Sequence, residues 1–138
     1  MLKKRKKKTT LQALTSFYKK VYKPVYYYVI DNMEFGRVEK IILLYFGIKK
    51  SESSNLIKRT HITRDIREIL GREDDNNFAV VLNNALRRLV IDKKVLYRRY
   101  SRVGINNKGL AIASNMLDII NKNRKEPVEN WDDILENI

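Results

Sequence analysis

Residues 62–109 have the sequence ITRDIREILGREDDNNFAVVLNNALRRLVIDKKVLYRRYSRVGINNKG. The first ten predict a short helix, for which Thr63 is a suitable N-cap and Gly71 a suitable terminator. A polar turn over residues 72–77 follows. From Phe78 to Ile91, apolar residues then recur at the spacing of one buried helical face: Leu82, Ala85, Leu86, Leu89 and Val90. The stretch therefore predicts two helices joined by a short turn.

The opposite face of the second predicted helix carries Asn83, Asn84, Arg87 and Arg88. An Asn side chain can form two hydrogen bonds with adenine, and an Arg side chain can form two with guanine or pair with phosphate. We expect these four residues to contact the bases or flanking phosphates of a nucleic acid. The alternative is that they form an ordinary solvated surface.

A basic hairpin is predicted over residues 92–105, directly after this helix. Val95 to Arg99 is rich in β-branched, aromatic and basic residues, Ser101 and Arg102 reverse the chain, and residues 103–105 return it. The cations expected to reach a phosphate backbone or a minor groove from this hairpin are Arg98, Arg99 and Arg102.

Further helices are predicted on both sides of this unit. Upstream, a helix runs from Arg37 to about Phe46, where Gly47 stops it, and a loop over 49–55 and a helical turn over 56–59 follow. Downstream, Asn106 or Asn107 caps a last helix. The residues that line one side of that helix are Leu110, Ala113, Met116, Leu117 and Ile120.

Three motifs resemble a known family: ALRRLV at 85–90, KKVLYRR at 93–99 and GINNKG at 104–109. They are similar to the winged helix-turn-helix DNA-binding domains of small prokaryotic regulators, especially those of archaea and archaeal viruses. Residues 76–96 show a weaker similarity to the globular domain of linker histones. The resemblance covers roughly residues 37–122. It implies a mainly α fold with a small β-hairpin, in which helix 78–91 enters the major groove and residues 95–105 form the wing.

The charge of the chain agrees with a polyanionic partner. The chain has 29 Lys and Arg against 16 Asp and Glu, a net charge of +13 and a pI of about 10.0. The last thirteen residues hold five carboxylates and no Lys or Arg, so the preceding 125 residues carry +18. A strongly basic body of this kind is typical of a nucleic-acid-binding protein.

The charge pattern, the apolar periodicity and the resemblance together predict four parts of the chain. Residues 1–8 form a basic arm, which we expect to stay disordered until it meets a polyanion. We expect a helical extension over residues 9–35, a winged-helix domain over residues 36–125 and an acidic tail helix over residues 126–138. Pro24 ends or kinks the extension; a kinked helix is favoured beyond it, and a strand over residues 25–30 is the alternative. The cations of the arm are Lys3, Lys4, Arg5, Lys6, Lys7 and Lys8. The arm is expected to follow phosphates or a minor groove, and an import signal or a solubilising tail are the alternatives.

Apolar stripes outside the minimal two-helix unit suggest further contacts. The stripes of 9–21 and 108–121 predict a homodimer, and Tyr26 to Tyr28 are expected in core or dimer packing rather than base stacking. In the tail, Pro127 suits the first turn of a helix. Its apolar stripe, expected to pack on the same domain or on a partner, is Trp131, Leu135 and Ile138.

The sequence provides little for catalysis or for binding a metal ion. There is no Cys, His61 is the single His, and the acids at 73–75 are typical of a solvated turn. No catalytic motif is present, so we expect no enzyme activity, no metal and no cofactor. No stretch reaches the roughly eighteen consecutive apolar residues that a membrane-spanning helix needs, so no stable membrane insertion is expected.

These observations predict a double-stranded DNA-binding protein, most simply a transcription regulator in the cytoplasm, associated with the nucleoid, or in the nucleus of a eukaryote. Thr63 and Arg64 are expected at a helix start, where free N–H groups favour a phosphate. The alternative is a structural, ribosome-bound or genome-packaging protein that binds DNA or RNA without sequence readout. A weaker alternative is contact of the arm and tyrosines with an anionic membrane surface.

Overall fold

The computed structural model describes residues 35–51 and 56–138. This part of the chain is mainly helical and contains a small antiparallel sheet with the strand order β1, β3, β2, which confirms the predicted fold class at that level. The predicted basic arm and nearly all of the helical extension lie outside the described residues. The elements are α1 (Arg37–Ser51), β1 (Ile57–Lys58), α2 (Arg59–Ile69), α3 (Asn76–Arg87), a π-helical turn (Arg88–Asp92), β2 (Leu96–Arg99), β3 (Arg102–Ile105), α4 (Asn107–Lys122) and α5 (Trp131–Leu135).

Helix α1 forms the centre of the core. Every side chain from Ile41 to Phe46 is at most 3% exposed, and the helix packs along α4 while also contacting α2, α3 and β3. A helix that is apolar on all sides is expected to be buried in this way. The prediction that Gly47 ends the helix is wrong, since α1 continues to Ser51 with Gly47 buried. Packing around α1 outweighs the roughly 1 kcal/mol that an internal helical glycine costs.

Helix α2 begins at Arg59, three residues earlier than the sequence predicted. Ile57 and Lys58 form a short strand opposite Val103 and Arg102 of β3, and the chain enters the helix directly from that strand. The predicted helical turn over 56–59 and the N-cap at Thr63 are therefore wrong. The Thr63 hydroxyl instead donates to the backbone oxygen of Arg59 at 3.1 Å, one turn back in the helix.

Helix α3 begins at a carboxylate cap. Asp75 accepts a hydrogen bond from the backbone N–H of Phe78 at 3.1 Å. The predicted apolar face is buried at Leu82, Ala85, Leu86 and Leu89, and Val90 is half-buried. The regular helix ends at Arg87, and the chain then widens into the π-helical turn instead of continuing to Ile91.

The predicted hairpin is present, with a shifted turn. Strands β2 and β3 pair from Leu96 opposite Ile105 to Arg99 opposite Arg102. Tyr100 and Ser101 form the turn, so Arg102 lies in a strand rather than in the reversal. The third strand, β1, was not predicted.

Helix α4 starts as predicted at the first of the two candidate caps. The Asn106 side chain accepts a hydrogen bond from the N–H of Gly109 at 2.9 Å. Met116 is half-buried, and the rest of the predicted stripe is buried within the chain at Leu110, Ala113, Leu117 and Ile120. This stripe is therefore not available as a dimer surface, and the other stripe, over 9–21, lies outside the described residues.

The acidic tail packs on its own domain. Val128 and Ile134 are buried, and the Asn121 side chain accepts a hydrogen bond from the N–H of Val128 at 2.9 Å. Helix α5 begins at Trp131 with Asn130 as its cap, so the prediction of Pro127 in the first turn is wrong. The extended segment between α4 and α5 holds Val128 in the core before the helix can begin. None of the described helices has the length and apolar character needed to cross a membrane.

Candidate nucleic-acid interface

A cleft of about 860 Å³ lies between the start of α2, the outer face of α3 and the hairpin. We call it the basic cleft. Leu86, Val90 and Val103 contribute apolar surface to it. No carboxylate occurs among the described residues that line it, so its charges are all positive. The cations that line it are Lys58, Arg59, Arg87 and Arg98.

The structure brings four of the predicted site residues together in the basic cleft: Asn83, Asn84, Arg87 and Arg98. The two asparagines differ in their contacts. The Asn83 side-chain oxygen accepts a hydrogen bond from the Arg59 guanidinium at 3.1 Å. Asn84 is exposed, and its side chain forms no hydrogen bond within the described part of the chain. The Asn84 amide is therefore the one free to pair with an incoming ligand.

Arg88 points to a different environment. Its Nε lies 4.0 Å from a carboxylate oxygen of Glu39. The same oxygen lies 3.3 Å from the Lys93 ammonium, and Glu39 is only 5% exposed. The other Glu39 oxygen accepts a hydrogen bond from the N–H of Gly36 at 3.1 Å. Glu39 thus joins α1 to the π-helical turn. Arg88 takes part in this contact and also lines a smaller cleft of about 370 Å³ with Asn84 and Arg87.

Three cations form a row across the sheet. Lys58 lies opposite Arg102, and Arg102 lies opposite Arg99, so the three side chains share one face of β1, β3 and β2. All three residues are exposed. Like charges directly opposite each other destabilise a sheet. A bound polyanion would remove this cost, and the row, which we call the cationic row, is therefore suited to phosphate contact.

Thr63 and Arg64 line a second cleft of about 420 Å³ beside the basic cleft, together with Arg59 and Asn83. The predicted role of their N–H groups is wrong, because both residues lie within α2 and not at its start. The first N–H of the helix, that of Arg59, already donates to the backbone oxygen of Ser101 at 3.1 Å. The Arg64 guanidinium forms an exposed ion pair with Asp65 at 3.2 Å.

Sequence reasoning missed Lys58, Arg59, Thr60 and Ser101, which complete the basic cleft. Strand β1 has two residues, which is too short for any periodicity to reveal it. The cations at 58–59, just before an apolar helical pattern, were the available signal. In residues 35–51 and 56–138, no group of His, Cys, Asp and Glu side chains is placed to hold a metal ion.

Comparison of the chain with family models, with curated proteins and with solved structures found no match. The roles of the basic cleft and the cationic row are therefore argued from their geometry and charge.

Proposed function

We propose that this chain is a winged helix-turn-helix protein that binds double-stranded DNA and acts as a transcription regulator. In this proposal α2 and α3 form the helix-turn-helix, α3 enters the major groove, and the β2–β3 hairpin is the wing. The observation that carries the proposal is the basic cleft, where cations from four separate elements converge without any carboxylate among its described lining residues.

The chemistry of α3 supports major-groove contact. The major groove admits an α-helix and presents distinct donors and acceptors at each base pair. Asn84 and Arg87 are exposed on the outer face of α3, and both side chains can form paired hydrogen bonds with a base edge. Arg98 and Lys58, one member of the cationic row, lie beside this face and would bind the phosphates that fix the orientation of the protein on the duplex.

The cationic row also favours a second candidate function, that of a structural nucleic-acid-associated protein without sequence readout. Phosphate contacts carry no base information, so a surface that relies on them binds all sequences alike. RNA would then be an equally suitable partner. Formation of a homodimer stays a prediction.

The test is a fluorescence-anisotropy titration against duplex DNA, single-stranded DNA and duplex RNA over a range of salt concentrations. The duplexes include random sequences and sequences enriched from a random pool. A regulator keeps tight binding to particular duplexes at physiological salt, whereas equal and steeply salt-sensitive binding to all three ligands would support the structural alternative.

Arg87→Ala identifies the contribution of α3. Loss of a base contact should cost about 1–3 kcal/mol, or roughly a 5- to 150-fold weaker affinity for an enriched duplex. Lys125→Ala removes the same charge from an exposed residue outside the basic cleft and is the matched control. Equal affinities for the two variants would contradict base contact by Arg87.

A further inference from the structure

The tip of the hairpin presents an aromatic ring to solvent. Tyr100 is 92% exposed, the largest value among the exposed large hydrophobic residues of the described chain. Tyrosine normally buries most of its ring against other side chains. A fully exposed ring at the end of a hairpin, beside the basic cleft, is therefore a candidate contact for a binding partner.

The backbone of the turn that carries this ring is held by hydrogen bonds. Tyr100 has a φ of 56°, in the left-handed region that bulky residues rarely adopt. Its carbonyl oxygen accepts a hydrogen bond from the Arg98 guanidinium at 3.0 Å, and the carbonyl of Ser101 accepts one from the N–H of Arg59. These two bonds tie the turn to β2 and to the start of α2. The ring is thus presented by an anchored turn, which lowers the entropy cost of binding.

The charges at the base of the turn specify the class of partner. Arg99 and Arg102 lie directly opposite each other at the ends of the strands that the turn joins. A flat aromatic ring next to paired cations matches a nucleotide, whose base stacks on the ring while its phosphate meets the cations.

We propose that Tyr100 stacks on an unpaired base next to the duplex held by α3, with the adjoining phosphates at Arg99 and Arg102. This inference rests on the proposed duplex binding. Bases inside a paired duplex have both faces covered by their neighbours. The ring can therefore stack only where a base lacks a neighbour, at a duplex end, in a single-stranded extension or at an opened pair.

The experiment compares three DNA probes with the same duplex sequence. One probe is fully paired, and another carries a short single-stranded extension that contains the fluorescent base 2-aminopurine. A third probe has an extension of abasic nucleotides, which supplies the same phosphates without bases. The wild-type chain should bind the 2-aminopurine probe about 5- to 150-fold more tightly than the abasic probe and quench its fluorescence.

Four variants separate the ring from the turn. Tyr100→Phe should keep the preference and the quenching, because it keeps the ring. Tyr100→Ala and Tyr100→Gly should lose the preference and the quenching, with unchanged affinity for the paired duplex. Glycine accommodates the positive φ, so Tyr100→Gly preserves the turn. Tyr97→Ala removes another exposed tyrosine from the same hairpin and should behave as the wild type.

Equal wild-type affinity for the 2-aminopurine and abasic probes would overturn this inference, as would a preference that survives in Tyr100→Gly. Both outcomes leave binding to the paired duplex intact. Failure of the proposed function is distinguishable, because the wild-type chain would then not bind the paired duplex.

Discussion

Asn83 and Asn84 are adjacent on α3 but differ in what they can contact. The hydrogen bond from Arg59 orients the Asn83 amide and uses its oxygen, whereas the Asn84 amide is exposed. From the sequence, the same role was predicted for both residues. The difference arises because β1 pairs with β3 and thereby brings Arg59 to the face of α3. Contacts between residues distant in sequence leave no local pattern, so they escape prediction.

Gly109 provides a test of the packing at the start of α4. A Cβ at this position would meet the Val95 carbonyl oxygen and would lie 2.6 Å from Cγ1 of Ile105. Gly109→Ala should therefore destabilise the protein by about 1–3 kcal/mol through overpacking. Urea unfolding measures the change.

Gly36→Ala is the matched control for this measurement. Its Cβ would lie 3.4 Å from a Glu39 carboxylate oxygen, an ordinary contact, so we expect little change in stability. Identical unfolding midpoints for the two variants would contradict the close approach at Gly109.

Among the elements, those with a one-sided apolar stripe could be predicted best. Helices α3 and α4 bury most of the residues that their periodicity indicated, and the Asn106 cap was one of two candidates. The end of α1 could not be predicted from the local terminator at Gly47, because burial on all sides extends that helix. The start of α2 depends on a strand pair more than forty residues away in sequence.

Helix α5 should be destabilised at low pH. The pKa of Asp133 lies below its ordinary value of 3.8, chiefly because the N–H of Glu129 donates to its carboxylate, with burial opposing and Arg124, 3.2 Å away, assisting. A lowered pKa means that the folded state favours the ionised form. The resulting stabilisation is complete above pH 3.8 and is lost as the pH falls through the lower, folded-state pKa.

The single Trp of the chain, Trp131, lies in α5 and reports this change. Its emission should stay constant at neutral pH and shift to the red as the pH falls below 3.8. In Asp133→Asn the emission should already be shifted at neutral pH and should change less on acidification. Asp132→Asn alters an exposed neighbour and should titrate like the wild type. A wild-type profile in Asp133→Asn would contradict the assignment.

Among the described residues, the cations that contact the acidic tail differ from those that line the basic cleft. Arg124 pairs with Asp133 and with Glu136 at 3.8 Å, and Arg37 donates to backbone oxygens of Leu135 and Ile138. These contacts use cations at the start of α1 and beyond the end of α4, and no tail residue lines the basic cleft. The acidic tail therefore stabilises the domain while the cations of the basic cleft stay available.

The candidate site could be predicted from the sequence in part. Asn83, Asn84 and Arg87 follow from helical periodicity and Arg98 from a basic hairpin, and the structure places these four in one cleft. Arg88, predicted on the same face, lies beside Glu39 instead. The cationic row and the exposure of Tyr100 depend on strand register and turn geometry, which composition does not encode. Tertiary pairing, more than local propensity, completes the site.

The most direct test of the central claim is an NMR titration of the isotope-labelled chain with duplex DNA. The account predicts that the backbone amide signals of Asn84 and Arg87 shift most, together with the Asn84 side-chain amide and the Arg87 guanidinium Nε–H. The backbone amide and Nε–H signals of the hairpin cations Arg98, Arg99 and Arg102 should shift with them. Signals of α4 and α5 should stay in place. Shifts confined to α4 and α5, or no shifts at all at low salt, would contradict the claim that the basic cleft binds DNA.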